Sequence, residues 1–279
     1  MGYDVSYHPI SEDQIKEWYW DIDFTKILEN DFSEVEEVAK KYQLDDFYKE
    51  KYLDTIKHAT NVKPEEMFEV SHGYFIAVIQ GFFSKYFYTR GSAFSFLIDD
   101  DAFFEQYIKS WQEFSPFTFD NPIANRIVQN YSSGVYIPKE NVVALLNDYH
   151  TNEEVKSKLD AFFSHNRIAI FLKALEAAKE LNVGLLEATE VVEPNPMNLN
   201  DSVCYSNLFN CDPEGALLYQ EAVMEQFKEI EKRENLAPNT IINNAERKVI
   251  HQEPITTNKN NESETSKAKP SFWKRLFGS

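Results

Sequence analysis

Fourteen consecutive residues, Tyr74 to Phe87, include nine large apolar or aromatic side chains: Tyr74, Phe75, Ile76, Val78, Ile79, Phe82, Phe83, Tyr86 and Phe87. A segment with no polar face has to be covered on every side, so it belongs at the centre of the core. Periodicity does not separate a buried helix from strands in such a run. Its length exceeds that of a usual strand and predicts helix. The chain can supply the cover, because 43% of its 279 residues are hydrophobic and 15% are aromatic. No run reaches the ~18 apolar residues of a membrane span, and the N-terminus lacks a basic flank ahead of a greasy stretch. The expectation is therefore a cytoplasmic protein.

The covering elements follow from spacing. Tyr3, Val5 and Tyr7 alternate with Asp4, Ser6 and His8, the pattern of a half-buried strand that Pro9 then stops. Ser11 and Gln14 have capping-box spacing and predict a short helix carrying Ile15, Trp18 and Tyr19. Ser33 and Glu36 repeat that spacing ahead of Val35, Val38, Ala39 and Tyr42, predicting helix over 33–57 with a break near Gln43. Pro64, Glu65 and Glu66 open the next segment. Beyond Gly91, Ser95 to Ile98 reads as a short strand or turn, and Phe103, Phe104, Tyr107, Ile108 and Trp111 as an amphipathic helix. The stretch 114–125, with Pro116 and Pro122, reads as a packed loop.

A strand ending at Pro138 comes next, then a helix with Val142, Val143, Leu145 and Leu146. The longest helix is predicted over 152–181, stopped by Asn182 to Gly184 and followed by a strand over 185–193. Pro213 starts the last helix, with Ala216, Tyr219, Val223, Phe227 and Ile230 on one face. The fold class is α+β, predominantly helical: a few short strands packed with amphipathic helices, and a disordered C-terminal tail. Residues 1–235 form an acidic globular domain in this reading. Residues 236–270, rich in Asn and Thr, form a disordered linker, and 271–279 a short basic-aromatic motif. As a helix, that motif sets Phe272, Trp273, Leu276 and Phe277 against Lys274 and Arg275, which suits a membrane surface or a partner's groove.

Forty-six acidic and twenty-eight basic side chains give a net charge of −18. Residues from Leu236 onward hold seven Lys or Arg and four Glu, so residues 1–235 carry −21. Phosphate backbones repel such a body, which argues against nucleic-acid binding by it. A basic protein partner is attracted, although acidic surfaces also serve solubility alone.

Catalytic signatures are absent from the sequence. Six histidines occur with no H-E-x-x-H pair, and neither a phosphate-binding Gly-rich loop nor a G-x-S-x-G elbow is present. Asp99, Asp100 and Asp101 lack the alternation of a Ca²⁺ loop and read as helix caps and acidic surface; no metal or cofactor is implied. Cys204 and Cys211 read as free thiols. Adjacent Trp18, Tyr19 and Trp20 cannot all face inward on a helix, which makes them candidate anchors for a partner alongside the Asp triplet. The expected function is a non-catalytic acidic protein-binding module. Toxin-neutralising immunity proteins are the analogy, as inhibitors that occlude a basic partner. The alternative is a hydrolase with Asp4, His8 and His72 in an aromatic-lined pocket.

Overall fold

The computed structural model describes residues 3–63, 67–117, 119 and 122–245 and is α+β with helix predominant. Its middle is the first strand, β1 (Asp4–Ile10), whose seven residues are all buried. The strand is not half-exposed because both of its faces are roofed by helices. Side chains at Val5 and Tyr7 enter one apolar cluster, while Ile10 enters the other.

In chain order the elements after β1 are α1 (Glu12–Ile15), α2 (Phe24–Leu28), α3 (Ser33–Lys41), α4 (Asp46–Ala59), α5 (His72–Phe83) and β2 (Tyr86–Arg90). Then come α6 (Phe94–Asp100), α7 (Trp111–Phe114), β3 (Ser133–Ile137), α8 (Lys139–Thr151), α9 (Glu153–Phe162), α10 (Arg167–Glu180) and β4 (Gly184–Thr189). The last are β5 (Val192–Glu193), β6 (Val203–Cys204), β7 (Cys211–Asp212), α11 (Pro213–Arg233) and α12 (Thr240–Asn244). The main sheet has the order β3-β4-β1-β2-β7, antiparallel except for β2 with β7, and β5 pairs with β6 in a small second sheet. Helices α3, α4 and α5 cover one face, with Tyr86, Tyr88, Tyr136 and Leu186 pointing at them. Helices α8, α9 and α10 cover the other, meeting Phe87, Val135, Ile137 and Leu185.

Pro9 does not end the strand. The β1–β2 ladder stops at the Tyr7–Phe87 pair, but the β4 side continues through Pro9–Leu185 and Ile10–Gly184. Proline lacks an N–H only toward β2, and there Gln80 Nε2 donates to the Pro9 carbonyl at 3.1 Å and to Lys85 O at 3.1 Å. The apolar run 74–87 is likewise two elements. Helix α5 ends at Phe83, Ser84 turns the chain into an extended conformation, and Tyr86 and Phe87 belong to β2. Total length exceeded a strand because a buried helix and a buried strand lie end to end.

Other differences arise where residues other than glycine adopt left-handed backbone. His165 (φ 57°) and Asn166 (φ 63°) split the predicted 152–181 helix into α9 and α10, and Glu190 (φ 57°) divides β4 from β5. Gln43 (φ 55°) makes the expected break between α3 and α4. Ser33 is the first helical residue rather than the cap, its N–H being taken by Asp31 Oδ1 at 3.0 Å. Residues 95–98 lie inside α6 instead of a strand or turn, and Ala102–Tyr107 is a 3₁₀ turn separate from α7.

At the C-terminal end, α12 forms inside the predicted linker. The Glu231 carboxylate caps it, accepting N–H groups from Asn239 at 3.0 Å and Ile241 at 2.9 Å. Residues 246–270 of the linker, the 271–279 motif and the Pro64 helix start lie outside the described residues. Among the described residues no helix is long and apolar enough to cross a membrane.

Candidate functional site

On β1 the side chains of Asp4, Ser6 and His8 all turn toward the α5 face, and each is buried. His8 is fully enclosed: Nδ1 lies 2.6 Å from Gln80 Oε1, Nε2 lies 2.8 Å from Ser6 Oγ, and the ring stacks on Tyr86. Burial pushes its pKa down to about 4, against a smaller opposing effect of the Gln80 hydrogen bond. His8 is therefore neutral near pH 7, with both ring nitrogens occupied.

Asp4 has different partners. Its Oδ1 accepts from Tyr88 OH at 2.6 Å and pairs with the Arg90 guanidinium at 2.5 Å. Its backbone N–H donates to Glu190 Oε1 at 3.3 Å, while Tyr74 OH donates to the Glu190 carbonyl and Tyr131 OH to Glu193 Oε1 at 3.0 Å. Asp4, Glu190 and Glu193 are all at least nine-tenths buried, so three carboxylates share one corner with a single arginine. Burial, and then the charge of Asp4, raises the Glu190 pKa to about 9, so its carboxyl keeps a proton at neutral pH. Glu190 and Tyr131 (φ 59°) both hold left-handed backbone, a strained conformation for such residues. Spacing did not single out this cluster. Its one trace in the sequence is the recurrence of Glu187, Glu190 and Glu193 inside an otherwise apolar run.

His72, at the start of α5, lies in an aromatic enclosure of Tyr19, Phe24, Phe68 and Phe117. Tyr19 OH is 2.5 Å from Nδ1, and Nε2 lies toward the Val62 backbone without a well-formed hydrogen bond. Burial lowers its pKa to about 4. No hydrogen bond links any two of Asp4, His8 and His72, so the acid–base constellation drawn from these three does not assemble. Each sits among its own set of neighbours, with His72 Nε2 left without a hydrogen bond, and along β1 two full pleats separate Asp4 from His8.

The aromatic anchors are also redistributed. A wide i→i+5 helical turn over Lys16–Trp20, closed by Asp21 N–H to Lys16 O at 2.8 Å, rotates both Trp18 and Tyr19 inward. Trp18 is 2% exposed and Tyr19 is 0% exposed, which removes them as surface contacts. Trp20 is half-buried against Trp111 and Phe114. Of the acidic triplet, Asp101 caps the following turn through Phe103 N–H at 3.1 Å and pairs with Lys158, while Asp99 pairs with Arg126. Asp99 and Asp100 are exposed. Among the described residues no group of three or more His, Cys, Asp or Glu is placed to hold a metal ion.

The same wide turn builds a surface feature that spacing alone does not reveal. Between it and α3 lies a cleft of about 290 Å³ lined by Glu17, Asp21, Ile22, Glu34, Glu37, Val38 and Lys41. Four carboxylates face one lysine there, and Lys41 is already paired with Glu17. Glu34 is held in place by Lys26 at 2.5 Å and by the Asp23 N–H at 2.7 Å, which keep its pKa below the usual carboxylate range despite slight burial. Asp21 and Glu37 are exposed; Asp21 pairs with Lys16 at 3.2 Å across open solvent, a contact that an incoming cation can replace.

No family model, no curated protein and no solved structure matches this chain.

Proposed function

We propose that this protein is a non-catalytic binding module that captures a basic protein partner, with the acidic cleft between the Lys16–Trp20 turn and α3 as a principal contact. The observation that carries this reading is the four-carboxylate lining of that cleft on a body of net charge −21. At about 290 Å³ the cleft has room for a long cationic side chain. Exposed ion pairs contribute only about 0.2–1 kcal/mol each, so the carboxylates act mainly on encounter rate and register. Long-range attraction speeds association by roughly 10–1000-fold at low salt. An inhibitor of the immunity type would work this way, blocking its partner sterically after electrostatic capture.

The test uses an arginine-rich peptide as probe at low and high salt. Neutralising the two most exposed cleft carboxylates, D21N with E37Q, is compared with neutralising two exposed glutamates of α11, E225Q with E229Q. The proposal expects a loss of affinity of roughly 2- to 30-fold in the cleft variant, the size that two exposed pairs imply, and little change in the α11 variant. Equal losses in both, or affinity indifferent to salt, would mean that the cleft has no special role.

A further inference from the structure

The two cysteines lie seven positions apart in sequence but meet around one hydroxyl. Tyr86 OH is 3.3 Å from Cys204 Sγ. Cys211 sits directly across from Tyr86 in the parallel β2–β7 pairing, its Sγ donates to the Asp212 carbonyl at 3.6 Å, and its thiol and the Tyr86 hydroxyl are near enough to influence each other's ionisation. Both thiols are free and neither is fully enclosed. Between them the chain makes a short 3₁₀ turn, Leu208–Asn210.

Several bonds hold that turn in place. Asn210 Nδ2 donates to Gly81 O at 2.9 Å and Phe82 O at 3.2 Å, and Ser206 Oγ donates to Val78 O at 2.6 Å. Asn207 Oδ1 accepts the Phe209 N–H at 3.0 Å. The turn thus presents Phe209, which is 92% exposed and has no packing role in the fold.

We propose that Cys204 and Cys211 are an oxidisable pair, converted by a peroxide into an intramolecular disulfide that closes the 205–210 loop. Cys204 is the attacking sulfur. Burial raises both thiols and the Tyr86 hydroxyl opposes it at each; at Cys204 the Ser206 N–H opposes it as well, whereas at Cys211 the neighbouring Cys204 adds to burial and the pKa is pushed up to about 12. The Cys204 thiolate attacks one oxygen of hydrogen peroxide, the O–O bond breaks and the departing hydroxide takes a proton to become water. The Cys204 sulfenic acid is then attacked by the Cys211 sulfur. The S–O bond breaks, a second hydroxide leaves and is protonated, and the S–S bond forms. Two thiols and one peroxide thereby give one disulfide and two waters.

The consequence is local. The bond ties β6, part of the small sheet, to β7 at the edge of the main sheet, and fixes the loop that displays Leu208 and Phe209. Raised thiol pKa values make the reaction slow at neutral pH, so the pair responds to sustained peroxide rather than to a brief pulse.

The experiment treats the full chain with hydrogen peroxide and follows intact mass, alkylation of free thiols and non-reducing peptide maps. The expected product is monomeric and lighter by two hydrogens, with a 204–211 cross-link that a dithiol reverses. In that product, chymotryptic cleavage at Leu208 and Phe209 is slower than in the reduced chain. The variant C211S should instead accumulate a sulfenic acid at Cys204 that dimedone traps. The proposal is overturned if both thiols remain alkylable, if oxidation runs to sulfinic acid at either cysteine without a cross-link, or if only intermolecular disulfides form. The wild-type chain decides each of these outcomes, so the result does not depend on any variant folding.

Discussion

Glu187 shows how far one side chain can set the pH range in which this molecule is stable. It is 1% exposed on the α10 side of the sheet, and its Oε2 accepts the Ser95 N–H at 3.2 Å. Burial raises its pKa from the ordinary 4.5 to about 7, against smaller opposing hydrogen bonds. The folded state holds this proton more tightly than the unfolded chain does. Its contribution to stability is therefore complete below pH 4.5 and is lost as pH rises through 7. Glu190 extends the loss toward 9. His8 and His72 act in the opposite sense: with folded values near 4 and an ordinary value of 6.5, their contributions are complete above 6.5 and fall away as pH drops through 4. Glu187→Gln keeps the acceptor for Ser95 and removes the titration. Thermal melts should place its Tm near wild type at pH 5 and above it at pH 8; identical profiles would contradict the assignment. At the same corner, Arg90→Met would leave buried Asp4 without its cation, at a cost of about 3–5 kcal/mol measurable by urea unfolding. Little of this was legible in the sequence. Asp4 and His8 stood out by type, but their partners Glu190 and Gln80 are 186 and 72 positions away, distances that no local pattern spans.

Some helix starts were legible from their caps, while those of α2 at Asp23 and α7 at Ser110 were missed because so few helical residues follow them. Ser11 and Gln14 make the reciprocal capping box at 3.0 and 2.9 Å, and Asp212 caps α11 beside Pro213. Helix ends were legible at Gln43 and at Asn182 to Gly184 but not between α9 and α10, where His165 and Asn166 adopt left-handed backbone without being glycine. Two contacts define how the last elements are held. Gly215 lies against the Tyr88 carbonyl, so any Cβ there meets β2 backbone. Gly215→Ala should push α11 off the sheet and cost about 1–3 kcal/mol or more, seen as a lower urea midpoint and faster amide exchange in α11. Glu231 caps α12 from outside its own helix. Glu231→Ala should cost about 0.5–2 kcal/mol and, more diagnostically, abolish amide protection at Asn239 and Ile241 while leaving β1 unchanged.

For the whole molecule, the α+β class and the central position of 74–87 were readable because apolar content and length act over long stretches and survive errors in local detail. The layering was not readable. A five-stranded sheet buried on both faces came from strands that look half-polar, as β1 does, because Asp4 is satisfied by Arg90 and the Tyr88 hydroxyl, His8 by Gln80 and Ser6, and Ser6 by His8 and the Ala188 carbonyl, instead of by water. The acidic surplus was obvious in composition, but where it concentrates depends on a wide helical turn that no spacing rule anticipates. Charge alone would spread a cationic ligand over the surface; in the proposed function the geometry of that turn and α3 would confine it. Amide hydrogen exchange of the full chain, with and without an arginine-rich peptide at moderate salt, tests this most directly. Protection confined to residues 16–23 and 33–41 is the predicted result, and protection distributed evenly over the acidic surface, or centred on another face, would contradict it.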